Sequence, residues 1–214
     1  MKKHTEARLE NAIEHCLIHE HHYQRGLSKD FDVEKAAQLR EHFRIPGMGQ
    51  TTARYFRDKL AMRIQAQDAG IPIPAFSPLF NDAEIHTYTQ NTPAPWLVKP
   101  RSEASAVGIT KIHDAASLWQ HLEKLGNDRH HYLIEKFEPG AVYHVDALSQ
   151  DRELLFCRVS QYLDTPFEVA HGGGIFRSHN VTFGGEDDVA LQALTAKVMK
   201  VFGMNYSASH TEFI

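Results

Sequence analysis

One lysine and the loop of small residues behind it are the part of this sequence best suited to bind an anion. The apolar run Trp96–Val98 ends on Lys99, and the loop that follows contains Ser102, Ser105 and Gly108. Small side chains let backbone N–H groups approach phosphate oxygens, and a lysine rooted in a strand adds a positive charge to the same anion. The pattern favours a phosphate site. An ordinary solvated hairpin with a surface lysine is the alternative, because one glycine and two serines are a weak signal.

Three further segments carry charged residues where an apolar run begins or ends. Asp58 and Lys59 open a stretch that leads into AGIPIP at 69–74. The segment IEKFEPG at 134–140 ends an apolar strand in a charged turn, and HTEF at 210–213 sets Glu212 between polar and apolar neighbours. Each motif is weak alone, so the functional information lies in their order along the chain.

This ordered set resembles the ATP-grasp superfamily of carboxylate–amine and carboxylate–thiol ligases, which includes biotin carboxylase and D-alanine–D-alanine ligase. The resemblance covers about residues 36–214. It implies an α+β fold of two lobes with a nucleotide site between them, and the cofactors ATP and Mg²⁺. It assigns no catalytic residue. The site residues that it implies are Lys59 and Lys99 toward the phosphates, Ser105 and Gly108 in the loop over them, the backbone of Glu135, Lys136 and Phe137 at the adenine edge, and Glu212 toward the metal.

The chemistry implied by the resemblance is phosphoryl transfer from ATP to a carboxylate, which gives an acyl-phosphate that an amine attacks. The triphosphate and the carboxylate are both anionic, so cations must be placed beforehand, and Lys59, Lys99 and Mg²⁺ would supply them. Two alternatives stay open. In the first, the chain is a nucleotide-binding or interaction module that keeps the fold without catalysis. In the second, it is an unrelated α+β protein whose matches are fortuitous.

Two departures from the family pattern lead to a further expectation. Val142 stands where many members have a glutamate for the ribose hydroxyls, and the family's second metal carboxylate comes further along the chain than Ile214. We therefore expect a ligase fragment whose second lobe is incomplete, which binds nucleotide weakly and does not turn over. The last strand, at 207–214, would present an unpaired edge to a second copy, so a homo-oligomer is expected there.

The predicted domain boundaries follow the same resemblance. Residues 1–50 have a helical pattern and are interpreted as the remnant of a preceding domain, with a helical adaptor as the alternative. Residues 51–137 form a linking helix and a lid lobe, and residues 138–214 form a partial catalytic lobe. A helix would place His15, His19 and His22 on one face, as a metal site or a titrating surface. The segment HGGG at 171–174 is interpreted as a substrate-side loop or a mobile linker.

Composition narrows the class of protein. The chain has 214 residues and a net charge of −4, without the broad basic surface that nucleic-acid binding needs. Its two cysteines, Cys16 and Cys157, have no paired spacing, which is typical of a reducing compartment. No apolar run approaches the length of a membrane span. We expect a cytoplasmic protein whose partners are small carboxylate and amine substrates, with no nucleic acid and no membrane.

The elements that must position these residues are predicted from hydrophobic periodicity. One helix is expected from Thr52 to Ala69, ended by Gly70. Strands paired through short turns, with helices on one face, indicate an α+β fold rather than a doubly wound sheet. The other predicted helices are at 83–90, 115–125 and 188–202, and the predicted strands are at 73–76, 96–99, 109–112, 132–136, 142–149, 153–161 and 207–214.

Overall fold

The computed structural model describes residues 33–103 and 106–214. The predictions for Ser105, for the histidines at 15, 19 and 22, and for the first part of the 1–50 segment lie outside these residues. The described helices are α1 Val33–Phe43, α2 Gln50–Tyr55, α3 Lys59–Asp68, α4 Asp82–Asn91, α5 Ala115–Leu125, α6 Pro166–Gly172 and α7 Glu186–Phe202, with a 3₁₀ helix at Gly126–His131. The described strands are β1 Phe76–Pro78, β2 Trp96–Pro100, β3 Thr110–Ile112, β4 Tyr132–Lys136, β5 Tyr143–Gln150, β6 Glu153–Tyr162, β7 Ser178–Asn180 and β8 Ser207–Phe213.

The first sheet has the strand order β1-β4-β2-β3, and every neighbouring pair is antiparallel. Val98 of β2 lies opposite Ile134 of β4, and both are fully buried in a core with Ile85 of α4 and Leu118 of α5. Successive side chains of a strand point to opposite faces. Lys99 and Glu135 follow Val98 and Ile134 directly, so they occupy the other face of the same sheet.

The second sheet has the order β7-β6-β5-β8, again with antiparallel pairs. Its packed face includes Val145 and its partner Val159, both fully buried, and α7 packs against β5 and β6. Leu154 and Phe213 join a core with Phe202 of α7. The opposite face carries the polar residues of β5, β6 and β8, and β8 is an outer strand of the sheet. Antiparallel sheets with helices on one face confirm the predicted α+β class.

The single helix predicted from Thr52 to Ala69 is wrong, because the structure divides it into α2 and α3. Asp58 adopts an extended conformation (φ −83°, ψ 109°), and its side chain accepts hydrogen bonds from the N–H groups of Leu60 (3.0 Å) and Ala61 (3.4 Å). An aspartate that caps the next helix gives it a starting point of its own. Periodicity alone does not register such a break, since the apolar spacing continues across it.

Helix α6 was not predicted. Thr165 and Glu168 form a capping box, and Pro166 occupies the first turn, so this helix has a strong start signal. His171 and Gly172 close α6 rather than belonging to a loop or linker, and Gly173 follows with φ +75°. Both interpretations of the 171–174 segment are therefore wrong for its first two residues.

Within the described residues, none of the helices has the length and apolar character that crossing a bilayer requires.

Candidate functional site

The centre of the site is a buried ion pair on the face of the first sheet that points away from the core with α4 and α5. Lys99 and Glu135 are 9 % and 3 % exposed, and the Lys99 ammonium contacts the Glu135 carboxylate. Arg63 of α3 contacts the other carboxylate oxygen, Nε to Oε2, at 3.1 Å. Burial raises the pKa of Glu135, but the charges and hydrogen bonds of Lys99 and Arg63 outweigh it and lower the pKa below its usual value. Glu135 is therefore an ionised carboxylate bridging two cations.

Lys59 adds a third cation to this group. It is the first residue of α3, and its ammonium donates to the Glu103 carbonyl oxygen at 2.5 Å. Burial lowers the pKa of Lys59 to about 8, helped by the positive charges of Lys99, Arg57 and Arg63. The Glu135 carboxylate opposes this shift without cancelling it. The structure thus gathers more positive than negative charge around Lys59.

A second ion pair fixes the position of Lys59. Asp58 caps α3 and also pairs with Arg101, whose Nε donates to the carboxylate at 2.9 Å and whose Nη2 contacts its other oxygen. The Lys59 N–H donates to the Arg101 carbonyl at 2.8 Å. Burial raises the pKa of Asp58, but Arg101 and the helix N–H groups lower it below its ordinary value. This clamp joins the start of α3 to the end of β2.

The small-residue loop begins at this clamp. The Lys59 ammonium donates to the carbonyl of Glu103, and Gly108 lies two residues before the start of β3 at Thr110. Gly108 has φ +73°, and a Cβ atom there would lie 2.8 Å from Cγ of Pro100. The rigid proline ring cannot move away, so both the conformation and the contact require glycine. Glycine is therefore required at this position, where the chain approaches β3.

The hinge at 135–137 offers less free backbone than the sequence predicts. The N–H of Lys136 donates to the Ala75 carbonyl at 2.8 Å, and the N–H of Phe137 donates to the Pro95 carbonyl at 3.0 Å. The Lys136 ammonium pairs with Glu138 at 2.8 Å, and Lys111 lies 3.5 Å above the centre of the Phe137 ring. For Glu138, the residue after the hinge, no backbone hydrogen bond from its N–H is found within the described residues.

Glu212 projects from β8 on the polar face of the second sheet. It lies opposite His144 in the strand register, is exposed, and accepts a hydrogen bond from the Tyr162 hydroxyl at 3.2 Å. Burial and the Glu212 charge raise the pKa of Tyr162 to about 12. The Glu212 charge also favours the charged form of Lys99, against the burial that lowers the Lys99 pKa. The structure therefore brings Lys59, Lys99 and Glu135 into one charge cluster, and the charge of Glu212 acts on Lys99 from the second sheet.

Sequence reasoning missed three residues of this arrangement. Arg63 lies four residues after Lys59, so helical spacing would have placed the two on one face. Arg101 lies two residues after Lys99, which is the spacing of one strand face, but its role depends on Asp58, 43 residues away. Asp58 was noted only as part of a motif, and its cap and ion pair appear only in three dimensions.

The chain is similar in sequence to amino-acid ligases, and its fold is similar to that of a solved ligase structure. The sequence matches no protein-family model. It is 31 % identical over 130 residues to the L-arginine-specific L-amino acid ligase of Bacillus subtilis, covering 58 % of this chain and 32 % of that protein. It is 27 % identical over 103 residues to the D-alanine–D-alanine ligase of Neisseria gonorrhoeae, covering 48 % of this chain and 34 % of that protein. The matched part thus spans about a third of the length of these curated relatives.

Among solved structures, the L-amino acid ligase of Bacillus licheniformis superposes with a TM-score of 0.65 at 20 % identity. The superposition covers 84 % of this chain and 42 % of that one. These findings confirm the predicted resemblance to the ATP-grasp superfamily, and the described residues have the ATP-grasp fold. The alternative that this chain is an unrelated α+β protein with fortuitous matches is therefore wrong.

Proposed function

We propose that this chain carries the nucleotide site of an ATP-dependent carboxylate–amine ligase, with Mg²⁺ bound by Glu212. Residues 51–137 would form the lid lobe, residues 138–214 would form part of the catalytic lobe, and residues 1–50 would be the remnant of a preceding domain. The substrates would be a small carboxylate and an amine, as the names of the two ligases above suggest for those proteins. A homo-oligomer through β8 and a cytoplasmic location stay predictions from the sequence.

The observation that carries the proposal is the excess of positive charge around Lys59. Lys99 and Arg63 share the carboxylate of Glu135. Burial, and then the positive charges of Lys99, Arg57 and Arg63, lower the pKa of Lys59 to about 8. Crowded, partly desolvated cations are costly unless a ligand of opposite charge binds them. A polyphosphate is such a ligand. The residues present therefore fit the anionic part of ATP.

A Mg²⁺ ion is proposed to bind at Glu212, on the second sheet. Mg²⁺ prefers oxygen ligands, keeps several waters and takes only one or two carboxylates from the protein. Glu212 is an exposed carboxylate with one oxygen held by Tyr162, so its other oxygen can serve as a ligand. The Glu212 charge also favours the charged form of Lys99, against the burial that lowers the Lys99 pKa, which supports a metal-directed carboxylate acting together with that lysine.

The roles of the chain's own residues follow from these positions. ATP supplies the phosphoryl group that activates a carboxylate, and Mg²⁺ offsets phosphate charge during the transfer. Lys59 and Lys99 hold the phosphates, and Glu135 keeps Lys99 in place. The loop between Glu103 and Gly108 would cover the phosphates and exclude water in the nucleotide complex. The Glu138 N–H, for which no backbone hydrogen bond is found within the described part of the chain, would donate to the purine edge.

A non-catalytic nucleotide-binding module is the second candidate, and one observation favours it. Val142 occupies the position where many ATP-grasp members hold the ribose with a glutamate. The next residue, Tyr143, donates its hydroxyl to Asp187 at 3.0 Å rather than offering a carboxylate. A site without that ribose contact would bind nucleotide more weakly.

Calorimetric titration of ATP into the full chain, with and without Mg²⁺, tests the nucleotide site. Lys59→Met should weaken binding by about 1.5–3 kcal/mol, the range for hydrogen bonds to a charged group. Lys124→Met is the matched control, because Lys124 is an exposed lysine at the end of α5, outside the cation cluster. Equal affinities for ATP in the wild type and the Lys59 variant would refute the placement of the phosphates.

Phosphate release separates the two candidate functions. A ligase should release phosphate from ATP only when a carboxylate and an amine substrate are both present, so mixtures of amino acids are added in pairs. A nucleotide-binding module should bind ATP with the same dependence on Lys59 and release no phosphate with any mixture. Phosphate release that persists in Lys59→Met would argue against both.

A further inference from the structure

The polar face of the second sheet carries a cluster of two imidazoles and a carboxylate that the proposed function does not use. His144 and Asp146 are two residues apart on β5, and His210 of β8 lies directly opposite Asp146 in the register. Residues two apart on one strand, and residues opposite each other on neighbouring strands, share a face. The strand pairing therefore places all three side chains together, although they are distant in the sequence.

The contacts within the cluster converge on one carboxylate. Nδ1 of His144 lies 3.1 Å from Oδ2 of Asp146, and Nδ1 of His210 lies 2.7 Å from Oδ1. The two imidazole rings are stacked, with centroids 5.0 Å apart and an interplanar angle of 29°. One nitrogen from each histidine and one carboxylate oxygen lie within 4.8 Å of one another. Small shifts of half-exposed side chains would close this set around an ion.

The second nitrogen of His144 has a partner of its own. Nε2 of His144 lies 2.9 Å from the Ser178 hydroxyl of β7. Histidines that bind a metal usually hold their other ring nitrogen in a hydrogen bond, which fixes the tautomer and the ring orientation. If Nε2 donates to Ser178, Nδ1 is left bare and directed at Asp146. His144 thus has the outer contact that a metal-binding imidazole needs.

We propose that His144, Asp146 and His210 bind a divalent transition metal of the Zn²⁺ type, on the same sheet face as Glu212 but with a ligand set that does not include it. Imidazole nitrogens suit Zn²⁺ and its neighbours, whereas Mg²⁺ takes oxygen ligands almost entirely. The donor set is therefore matched to a different ion from the one that ATP brings. Three protein ligands also leave a tetrahedral ion one position for water or a substrate group.

Exposure supports an open position of this kind. The side chains of His210 and Asp146 are 51 % and 50 % exposed, while that of His144 is 12 % exposed. One ligand is thus anchored in the sheet and two are accessible from solvent, so an ion can enter without opening the fold. A proton-only arrangement, in which each imidazole donates its Nδ1–H to Asp146, is the competing account of the same contacts.

Calorimetric titration of Zn²⁺ into the full chain, in excess Mg²⁺, tests the site. We expect one Zn²⁺ that Mg²⁺ does not displace, with binding weakened by about 100-fold or more in Asp146→Asn and in His210→Ala. Ser178→Ala, which removes only the outer contact, should weaken binding by about 10-fold. The matched control is the double variant H130N/H131N, which removes two adjacent imidazoles whose ring centroids are 3.8 Å apart. It should bind Zn²⁺ like the wild type.

Co²⁺ provides a direct signature of the ligands. Its absorption bands should report a low-coordinate site in the wild type, and they should be lost in Asp146→Asn while circular dichroism shows an unchanged fold. Displacement of Zn²⁺ by Mg²⁺, equal Zn²⁺ affinity in the wild type and both ligand variants, or no Zn²⁺ binding at all would each overturn the proposal. Equal affinity in those variants would assign the binding to other histidines of the chain.

Discussion

The two sheets carry their functional charges in opposite ways. On the first sheet, Lys99 and Glu135 are buried and paired, and Arg63 completes the contact. On the second sheet, Glu212 and His210 are exposed, and their partners are a hydroxyl and a half-exposed carboxylate. One side of the site is therefore built into the folded protein, while the other side is left to solvent until a ligand arrives.

This difference separates stability from binding. Removing two charges from water is costly, and a buried pair recovers that cost only while both partners remain. An exposed carboxylate loses little hydration on folding and contributes little to stability. Substitutions on the first sheet should therefore affect folding first, and substitutions on the second sheet should affect metal and nucleotide binding alone. Four predictions, in order of expected size, test this contrast.

The largest effect is expected at the buried pair. Lys99→Met leaves the Glu135 carboxylate buried with Arg63 as its remaining strong partner, and should lower the free energy of unfolding by about 3–5 kcal/mol. The double variant K99M/E135Q removes both charges but leaves Arg63 facing a neutral side chain, so it should recover only part of that loss. Denaturant unfolding of the wild type, the single variants and the double variant measures this coupling. Additive effects of the two substitutions would mean that the ions are not paired in solution.

The second-largest effect on stability is expected at the clamp formed by Asp58 and Arg101 at the start of α3. Asp58→Ala removes the helix cap and the ion pair with Arg101, and should cost about 3 kcal/mol in the free energy of unfolding. Asp58→Asn keeps a side chain that caps helices equally well and removes the charge, so it should cost about half as much. The difference between the variants in the same unfolding experiment isolates the cap. Equal costs would show that the cap contributes nothing.

The pH dependence of ATP binding is the third test. The pKa of Lys59 is about 8 in the folded protein, below its ordinary value of 10.5. The phosphates require its charged form, so binding is strongest below pH 8 and should weaken as pH rises through 8, by up to about tenfold per pH unit. Arginine stays charged throughout this range, so Lys59→Arg should flatten the profile. Calorimetry between pH 7 and 9.5 checks this, and an unchanged slope in the variant would contradict it.

The smallest effect on stability is expected at Glu212. Glu212→Gln keeps an oxygen that can accept from Tyr162, and an exposed change of this kind should alter the free energy of unfolding by less than about 0.5 kcal/mol. The same variant should lose the dependence of ATP binding on Mg²⁺, because the metal loses its protein carboxylate. Thermal unfolding and Mg²⁺ titrations at fixed ATP measure the two properties. A large loss of stability in this variant would contradict the prediction that substitutions on the second sheet affect binding and not folding.

Most of the described elements could be predicted from the sequence. The strand over Tyr132–Lys136 and the helix over Ala115–Leu125 have the predicted bounds, because their apolar spacing changes clearly at each end. The break at Asp58 and the helix at Pro166–Gly172 were missed, because both depend on capping hydrogen bonds rather than on apolar spacing. Local signals for both were present in the sequence.

The candidate site divides in the same way. Lys59, Lys99 and Glu212 were identified by the order of their motifs along the chain, and their roles stay proposals. The hinge was expected to act through the backbone of residues 135–137, whereas the structure uses two of those N–H groups internally and makes the Glu135 side chain the centre of the ion cluster. The order of motifs along the chain indicates which residues belong to the site. It does not indicate whether a residue acts through its backbone or through its side chain.

The sequence by itself determined the alternation that sends Val98 into the core and Lys99 to the other face, because the side-chain period of a strand is local. It could not determine that Arg63 and Lys99 share Glu135, or that His210 meets Asp146. Those contacts join residues on different elements, and they exist only once strand register and helix packing are fixed. Charge pairing depends on distance in space, and only the tertiary structure sets that distance.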